Sequence, residues 1–378
     1  MTATKLLVFL LTAICLVCLA AEQVLAARHR RALGHVVYVN GTRGKSTVTR
    51  LIDAGLRAGG LRVFCKTTGT LPMTLGTDGV ERPIVRRGRA NIKEQLAILR
   101  QAAAQRADVL VIECMAVDPA LQAVSQHRML KADLGVITNV RLDHTAEMGA
   151  TLEEICDSLC NTIPRGGRLF TADADFVGQI EKNARPLGCE VILAQPRGEL
   201  PAFDFPENLA LALEVCMALG VGRETALDGM SRYQPDPYAL SLHRFSSGAI
   251  FVNGMSINDP QSTALVADRL TARADLAGRR LVLLINNRPD RGYRTEHMLA
   301  LAQRLEPDEI WLIGASQGFM RRKLRRRGAL AVRPLKNAAQ APFSALGAND
   351  LLFAVGNIAG PGHDLMARVR EEATPYVQ

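Results

Sequence analysis

The sequence predicts an α/β chain in three parts: a membrane-spanning N-terminal helix, a parallel-sheet domain that opens on a glycine-rich loop, and a smaller α/β domain. Three observations predict it. Leu6 to Ala21 is a stretch of sixteen residues without a charge. From His35 onward, short apolar runs alternate with amphipathic stretches, the pattern of strands joined by helices in a mainly parallel sheet. The segment Gly41-Thr-Arg-Gly-Lys-Ser-Thr47 falls between the first such strand and the first such helix.

The N-terminal stretch reaches Ala27 if Glu22 is tolerated near an interface, and a bilayer core needs about 20 helical residues. A signal peptide competes with a retained anchor, since Leu25-Ala26-Ala27 offers small residues for cleavage. The charge balance favours the anchor. Lys5 alone precedes the segment and Arg28, Arg30 and Arg31 follow it, which places the C-terminal side in the cytoplasm. Residues 1–31 are therefore read as an uncleaved anchor in the cell membrane.

Residues 32–240 form the first domain in this reading. His35–Val39 is a strand, and Ser46–Ala58 a helix closed by Gly59-Gly60. Arg62–Cys65, Val109–Ile112, Leu134–Thr138, Arg168–Thr171 and Glu190–Leu193 continue the strands; Asn91–Gln105 and Pro206–Leu219 are helices. Tyr233-Gln-Pro-Asp-Pro237 is a turn-rich linker. Residues 241–378 form a second domain, with strands at Ala249–Val252, Leu281–Ile285, Glu309–Ile313 and Leu351–Val355 and a basic helix near 315–327. Its βα units read as Rossmann-like.

Composition narrows the partners. The 378 residues carry a net charge of +9, which favours anionic ones: nucleic acid, an acidic lipid surface or a polyanionic substrate. Aromatics are only 4%, and none interleave with the basic runs at Arg86, Arg87, Arg89 and at Arg321–Arg327. That argues against a base-stacking reader of nucleic acid, and nucleic acid is not an expected partner. The eight cysteines form no paired C-x-x-C set, so they read as reduced thiols without a zinc site.

The glycine-rich loop carries the sharpest chemistry. Gly41 and Gly44 let the backbone wrap a phosphate, with Thr42 and Arg43 between them. The following helix start points free N–H groups at the anion. Lys45 can reach β- and γ-phosphates, and Ser46 or Thr47 can supply a hydroxyl to Mg²⁺. Val39 stands where the general phosphate-loop pattern has its leading glycine. Nucleotide use follows; a motor, a GTPase or a transporter ATPase would fit the loop equally well.

Further segments narrow the choice. Gly41–Arg50, Lys66-Thr-Thr-Gly-Thr-Leu-Pro72, Val111-Ile-Glu-Cys-Met-Ala116, Ile137-Thr-Asn139 and Asn286-Asn-Arg-Pro-Asp-Arg-Gly-Tyr-Arg294 together resemble the ATP-binding subunit of poly-γ-glutamate synthases, the CapB/PgsB family within the Mur ligase-like enzymes. The resemblance covers nearly the whole chain. It implies a first domain like the Mur ligase central domain, with ATP and Mg²⁺. Glu113, at a strand end, would hold Mg²⁺, and His144, in Thr138-Asn139…Asp143-His144, would support a second metal. Asn208 would border adenine, Arg244 in a hinge His243-Arg244 would reach the γ-phosphate, and Asn258 and Asp259 would face the ribose. Arg288, Asp290 and Arg291 would join the nucleotide or the acidic substrate, and Val355–His363 matches without a role.

Two departures matter. Only about 40 residues precede the loop, too few for the UDP-binding domain of Mur ligases. Between His144 and Asn208 the one lysine is Lys182, outside any context for a carbamylated metal ligand. The resemblance implies an ADP-forming ligase that activates a carboxylate as an acyl phosphate and joins it to an amine, with glutamate and a poly-γ-glutamate chain as substrates and an integral membrane subunit as partner. Two rivals remain open: a folylpolyglutamate synthase-like ligase and a membrane-tethered ATPase that powers polymer export.

Overall fold

The computed structural model describes residues 3–69, 71–86, 88–197, 205–257, 260–287, 293–329 and 331–376. Arg87, Asn258, Asp259, Arg288, Asp290 and Arg291 lie outside them. The chain divides into two compact units at Asp236/Pro237, inside the Pro-rich turn.

In the first unit α1 (Ala3–Arg31) leads to β1 (His35–Asn40), α2 (Lys45–Ala58), β2 (Val63–Thr67), β3 (Met73–Leu75), β4 (Glu81–Pro83) and α3 (Glu94–Ala104). Then come β5 (Val109–Glu113), α4 (Pro119–Val124) running into a π-turn (Ser125–Leu130), β6 (Leu134–Ile137), α5 (Thr145–Met148) and α6 (Leu152–Cys160). β7 (Arg168–Thr171), α7 (Val177–Ala184), β8 (Glu190–Leu193), α8 (Pro206–Ala218) and α9 (Arg223–Ser231) complete it. The sheet order is β4-β3-β2-β5-β1-β6-β7-β8. All strands from β2 to β8 in that order run parallel, as the buried apolar runs predict, while β3 and β4 form an antiparallel hairpin at one edge.

Helices cover both faces. On one, α2 presents Val48, Leu51, Ile52 and Leu56 to Val37, Val39 and Val111 of the sheet, joined by Leu209, Leu213 and Met230 of α8 and α9. Each of those α2 side chains is fully buried, worth about 1.5–3 kcal/mol apiece against exposure. On the other, Ile98, Leu99 and Ala102 of α3 and Leu130 of the π-turn cover Val36, Tyr38, Leu110 and Ile112.

α1 is one unbroken helix, long and apolar enough to cross a membrane over Thr4–Arg31. Its last turns belong to the body. Ala26 is buried, Arg30 Nη2 donates to Asp133 Oδ1 at 2.7 Å, and Arg30 Nε donates to the Lys131 carbonyl at 3.0 Å.

The second unit contains β9 (Ser241–Phe245), β10 (Ile250–Asn253), α10 (Pro260–Ala272), β11 (Arg280–Asn287), α11 (Tyr293–Leu305), β12 (Glu309–Gly314), α12 (Gln317–Arg326), β13 (Val332–Pro334), β14 (Asp350–Gly356), α13 (Pro361–Glu372) and β15 (Ala373–Pro375). Its sheet order is β13-β12-β11-β14-β10-β9-β15, parallel except for β9. Trp311, Phe251, Leu284 and Leu352 centre its core. The basic helix expected near 315–327 runs from Gln317 to Arg326, and His243 and Arg244, expected in a hinge, lie inside β9, paired with β10 and β15.

Candidate active site

Strands β5, β1 and β6 lie side by side and parallel, so their carboxyl ends share one edge of the sheet. Ligands bind at that edge in open parallel sheets. The loop from Gly41 to Thr47 leaves β1 there and turns into α2. Its glycines are required by space as well as by conformation. Gly41 has φ 128°, and a Cβ on it would lie 2.0 Å from Thr138 Oγ1. Gly44 has φ 77°, and a Cβ there would meet the Asn208 amide at 2.9 Å. Asn208 is buried at the start of α8 and closes the outer side of the loop.

The end of β6 clamps the loop from within. Thr42 Oγ1 donates to Asn139 Oδ1 at 2.8 Å, and the Arg43 N–H donates to the same oxygen at 3.1 Å. Asn139 Nδ2 and Thr138 Oγ1 both donate back to the Arg43 carbonyl, at 3.1 and 2.6 Å. Beneath it, Asn40 Nδ2 donates to Gln122 Oε1 at 3.0 Å and Thr162 Oγ1 at 3.2 Å. Lys45 Nζ reaches across the concave side and donates to the Gly41 carbonyl at 2.7 Å. The first turn of α2 leaves its N–H groups without intrahelical partners, pointing into the same space.

Glu113 ends β5 with its side chain only 2% exposed. Its Oε2 accepts from Ser46 Oγ at 2.8 Å and from the Thr68 N–H at 2.7 Å. The predicted carboxylate and hydroxyl are therefore brought into contact, with Thr47 the next residue of the same helical turn. Among the described residues no three His, Cys, Asp or Glu side chains form a cage. A cation here would be held by Glu113, the neighbouring hydroxyls and phosphate oxygens, which is how Mg²⁺ prefers to bind beside nucleotides.

The other expected residues are more dispersed. His144 takes a left-handed backbone, φ 48°, with its ring near Asp143 (3.7 Å) and Glu147 (3.9 Å). Asp143 pairs with Arg43 at 3.0 Å. Arg244 is exposed on β9, its guanidinium 4.3 Å from the centre of the Tyr376 ring. Lys182 is exposed on α7.

Sequence reasoning assigned no role to Thr138, Asn139, Thr68 or Lys66, although all four fall in the segments it singled out. Lys66 is fully buried on β2, its Nζ 3.0 Å from Glu94 Oε1, and Arg86 pairs with the same carboxylate at 2.7 Å. Burial pushes the Lys66 ammonium below its ordinary value, and Glu94 only partly offsets this. Burial pushes the Glu94 carboxyl up, but Arg86 and Lys66 outweigh it and hold it below the usual range. Next to Glu113, burial pushes the Cys114 thiol up, and its sulfur accepts from Tyr38 Oη at 2.9 Å.

Residues 39–194 match the family model of the Mur ligase middle domain, and residues 240–372 that of the poly-gamma-glutamate synthase CapB C-terminal domain. The PGA synthase CapB of Bacillus subtilis (strain 168) is 36% identical over 322 residues, 81% of this chain and 82% of that protein. This chain belongs to the CapB family. The capsule biosynthesis protein CapB of Bacillus anthracis is 39% identical over 285 residues, which are 71% of this chain and 61% of that protein. Among solved structures, this chain shares its fold with a bifunctional folylpolyglutamate synthase/dihydrofolate synthase of Yersinia pestis complexed with AMPPNP and Mn ion: TM-score 0.72, 18% identity, 92% of each chain. A Mycobacterium tuberculosis folylpolyglutamate synthase complexed with ADP is similar at TM-score 0.70 and 16% identity, covering 94% of each. The Mur ligase middle-domain match begins at Val39 and so contains the phosphate loop, Glu113 and the Thr138-Asn139 clamp.

Proposed function

We propose that this chain is an ATP-dependent, ADP-forming ligase that makes γ-glutamyl amide bonds in poly-γ-glutamate synthesis. One observation carries the reading: a buried Glu113, bonded to Ser46, stands on the strand beside a phosphate loop whose Lys45 faces the same edge. Family membership supplies the polymer. In this reading α1 is a retained membrane anchor, the body is cytoplasmic, and an integral membrane subunit takes up the product.

The chain's own residues divide the work. The loop N–H groups and Lys45 bind the nucleotide phosphates and neutralise charge as the γ-phosphoryl group moves to a carboxylate oxygen of glutamate or of the chain end. ADP leaves, an acyl phosphate forms, and an amine nitrogen displaces inorganic phosphate with loss of a proton. Glu113, Ser46 and Thr47 would hold Mg²⁺, which supplies electrostatic stabilisation of the phosphate oxygens when bound. Thr138 and Asn139 keep the loop in its concave form. Asn208 borders the nucleotide.

The test is ADP release by the detergent-purified chain, alone and beside its membrane partner, with and without glutamate, and with hydroxylamine to trap an acyl phosphate. Glutamate-dependent release with a trapped hydroxamate, lost in Lys45→Ala, is expected. Turnover indifferent to glutamate with no hydroxamate would instead identify an export ATPase.

A further inference from the structure

We propose that the sheet edge carrying the phosphate loop faces the bilayer, and that the β4–α3 segment, over residues 84–86 and 88–93, rests on anionic lipid headgroups. The inference rests on the reading of α1 as a retained anchor and goes beyond it, because it fixes which face of the first unit meets the membrane.

The geometry comes from two ties along α1. Near its C-terminus, Arg30 is bonded to Asp133, the residue before β6, and the chain then enters β1 at His35. Both strands start there, so this end of α1 lies at the amino edge of the parallel strands. Eight residues earlier, Glu22 Oε2 is 3.5 Å from Lys93 Nζ, immediately before α3. α3 precedes β5 and runs against the strand direction, so its start lies at the carboxyl edge. α1 therefore climbs the sheet from the amino edge at Arg30 to the carboxyl edge at Glu22. Nine residues of helix span roughly 13 Å, close to the roughly 16 Å of a five-residue strand. The remaining residues, Ala3 to Ala21, then project beyond the carboxyl edge for about 28 Å at 1.5 Å per residue. Apart from Lys5 they are uncharged, and Leu6, Phe9, Ile14 and Val17 on them are all at least half exposed. The membrane thus begins near Glu22, on the side of the sheet where Gly41–Thr47 and Glu113 lie.

The segment at that level is suited to a lipid surface. Pro83 pairs with Met73, which pairs with Thr67 at the carboxyl end of β2, so residues 84–86 leave β4, and residues 88–93 enter α3, on this same edge. Val85 is 86% exposed, an apolar residue in open solvent. Arg89 and Lys93 are exposed in the same segment, with Lys93 3.5 Å from Glu22. An apolar tip flanked by cations, next to a spanning helix, fits an anionic interface, where each cation near the surface contributes about 1 kcal/mol. The orientation opens the catalytic edge towards the membrane, so an acidic product would be released beside an integral partner.

The test reads depth with tryptophan. The full chain is reconstituted into phosphatidylglycerol-containing vesicles doped with lipid carrying a headgroup nitroxide, as wild type, Val85→Trp and Arg165→Trp. Arg165 is exposed ahead of β7, at the amino edge, and the native Trp311 is buried and sets the baseline. Quenching of Val85→Trp by at least twofold over that baseline is expected, weakened by Arg89→Glu, with Arg165→Trp unquenched. Vesicle flotation and N-terminal sequencing separate the two readings. A chain that fails to float, or begins after Ala27, sinks the anchor and the proposal together. A floating chain with Arg165→Trp quenched, or neither probe quenched, overturns the proposal alone.

Discussion

Replacing Glu94 by Gln should expose the energetic tension beside the active-site edge. Lys66 is fully buried, and Glu94, whose side chain is 12% exposed, is the carboxylate 3.0 Å from its ammonium. Removing one partner of a buried pair costs about 3–5 kcal/mol, because the other charge remains buried without compensation. The slight exposure of Glu94 puts the expected cost at the lower end, about 3 kcal/mol. For a unit of this size that is a fall of roughly 6–12 °C in Tm. Lys66→Met alone should be mild, because Arg86 still pairs with Glu94 through two bonds, at 2.7 and 3.0 Å. The double variant should recover about 2 kcal/mol of the Glu94→Gln loss, by removing the stranded ammonium. The pH dependence has a definite sign. The folded value of Lys66 lies below its ordinary value, so between the two the unfolded chain binds more protons and stability rises with pH. Glu94→Gln should widen that window downward, and Lys66→Met should abolish it. Thermal unfolding of the detergent-solubilised chain, followed by near-UV circular dichroism from neutral to alkaline pH, measures all four proteins. Equal destabilisation of Glu94→Gln and the double variant would refute the reasoning.

Three further outcomes follow from the loop. Gly41→Ala should abolish ATP turnover and lower Tm, since the new Cβ meets Thr138 Oγ1 at 2.0 Å in a backbone region that costs an L-residue about 1–3 kcal/mol; retained turnover in steady-state ADP release would count against the close packing. Glu113→Gln keeps an oxygen for Ser46 and Thr68 but loses the charge, so the divalent-ion concentration needed for half-maximal turnover should rise about 10–100-fold with little change in Tm, read by titrating Mg²⁺. Asn139→Ala removes three bonds to Thr42 and Arg43, each worth about 1 kcal/mol, and should raise the KM for ATP more than it lowers kcat; an unchanged KM would show that the loop holds its shape without the clamp.

The elements legible in the sequence were those that a local pattern dictates. β7 and β8 fall at the expected residues, and β1, β5 and α8 within one residue of them, because continuous apolar runs and helical periodicity report burial directly. The hairpin β3–β4 and strands β9 and β15 were not legible. Each has three to five residues, and Ser241–Phe245 mixes a buried His with an exposed Arg. Pairing with a neighbour, not intrinsic pattern, makes such segments strands. The hinge expected at His243-Arg244 came from the family resemblance, not from the local pattern, which gave no sign that these residues lie within β9.

The same distinction governs the site. The loop and Glu113 could be found because their chemistry is written in consecutive residues or at a strand end. The clamp could not, since Thr138 and Asn139 act on residues 95 to 97 positions away, and only the β1–β6 register brings them there. That register has a functional consequence. Gly41 is excluded from carrying a side chain by Thr138, and Arg43 is held from both sides by Thr138 and Asn139. The anion-binding curvature is therefore set by the end of β6 as much as by the loop's own glycines. A glycine-rich loop transplanted without its Thr-Asn partner would keep the sequence motif and lose the shape that binds phosphate.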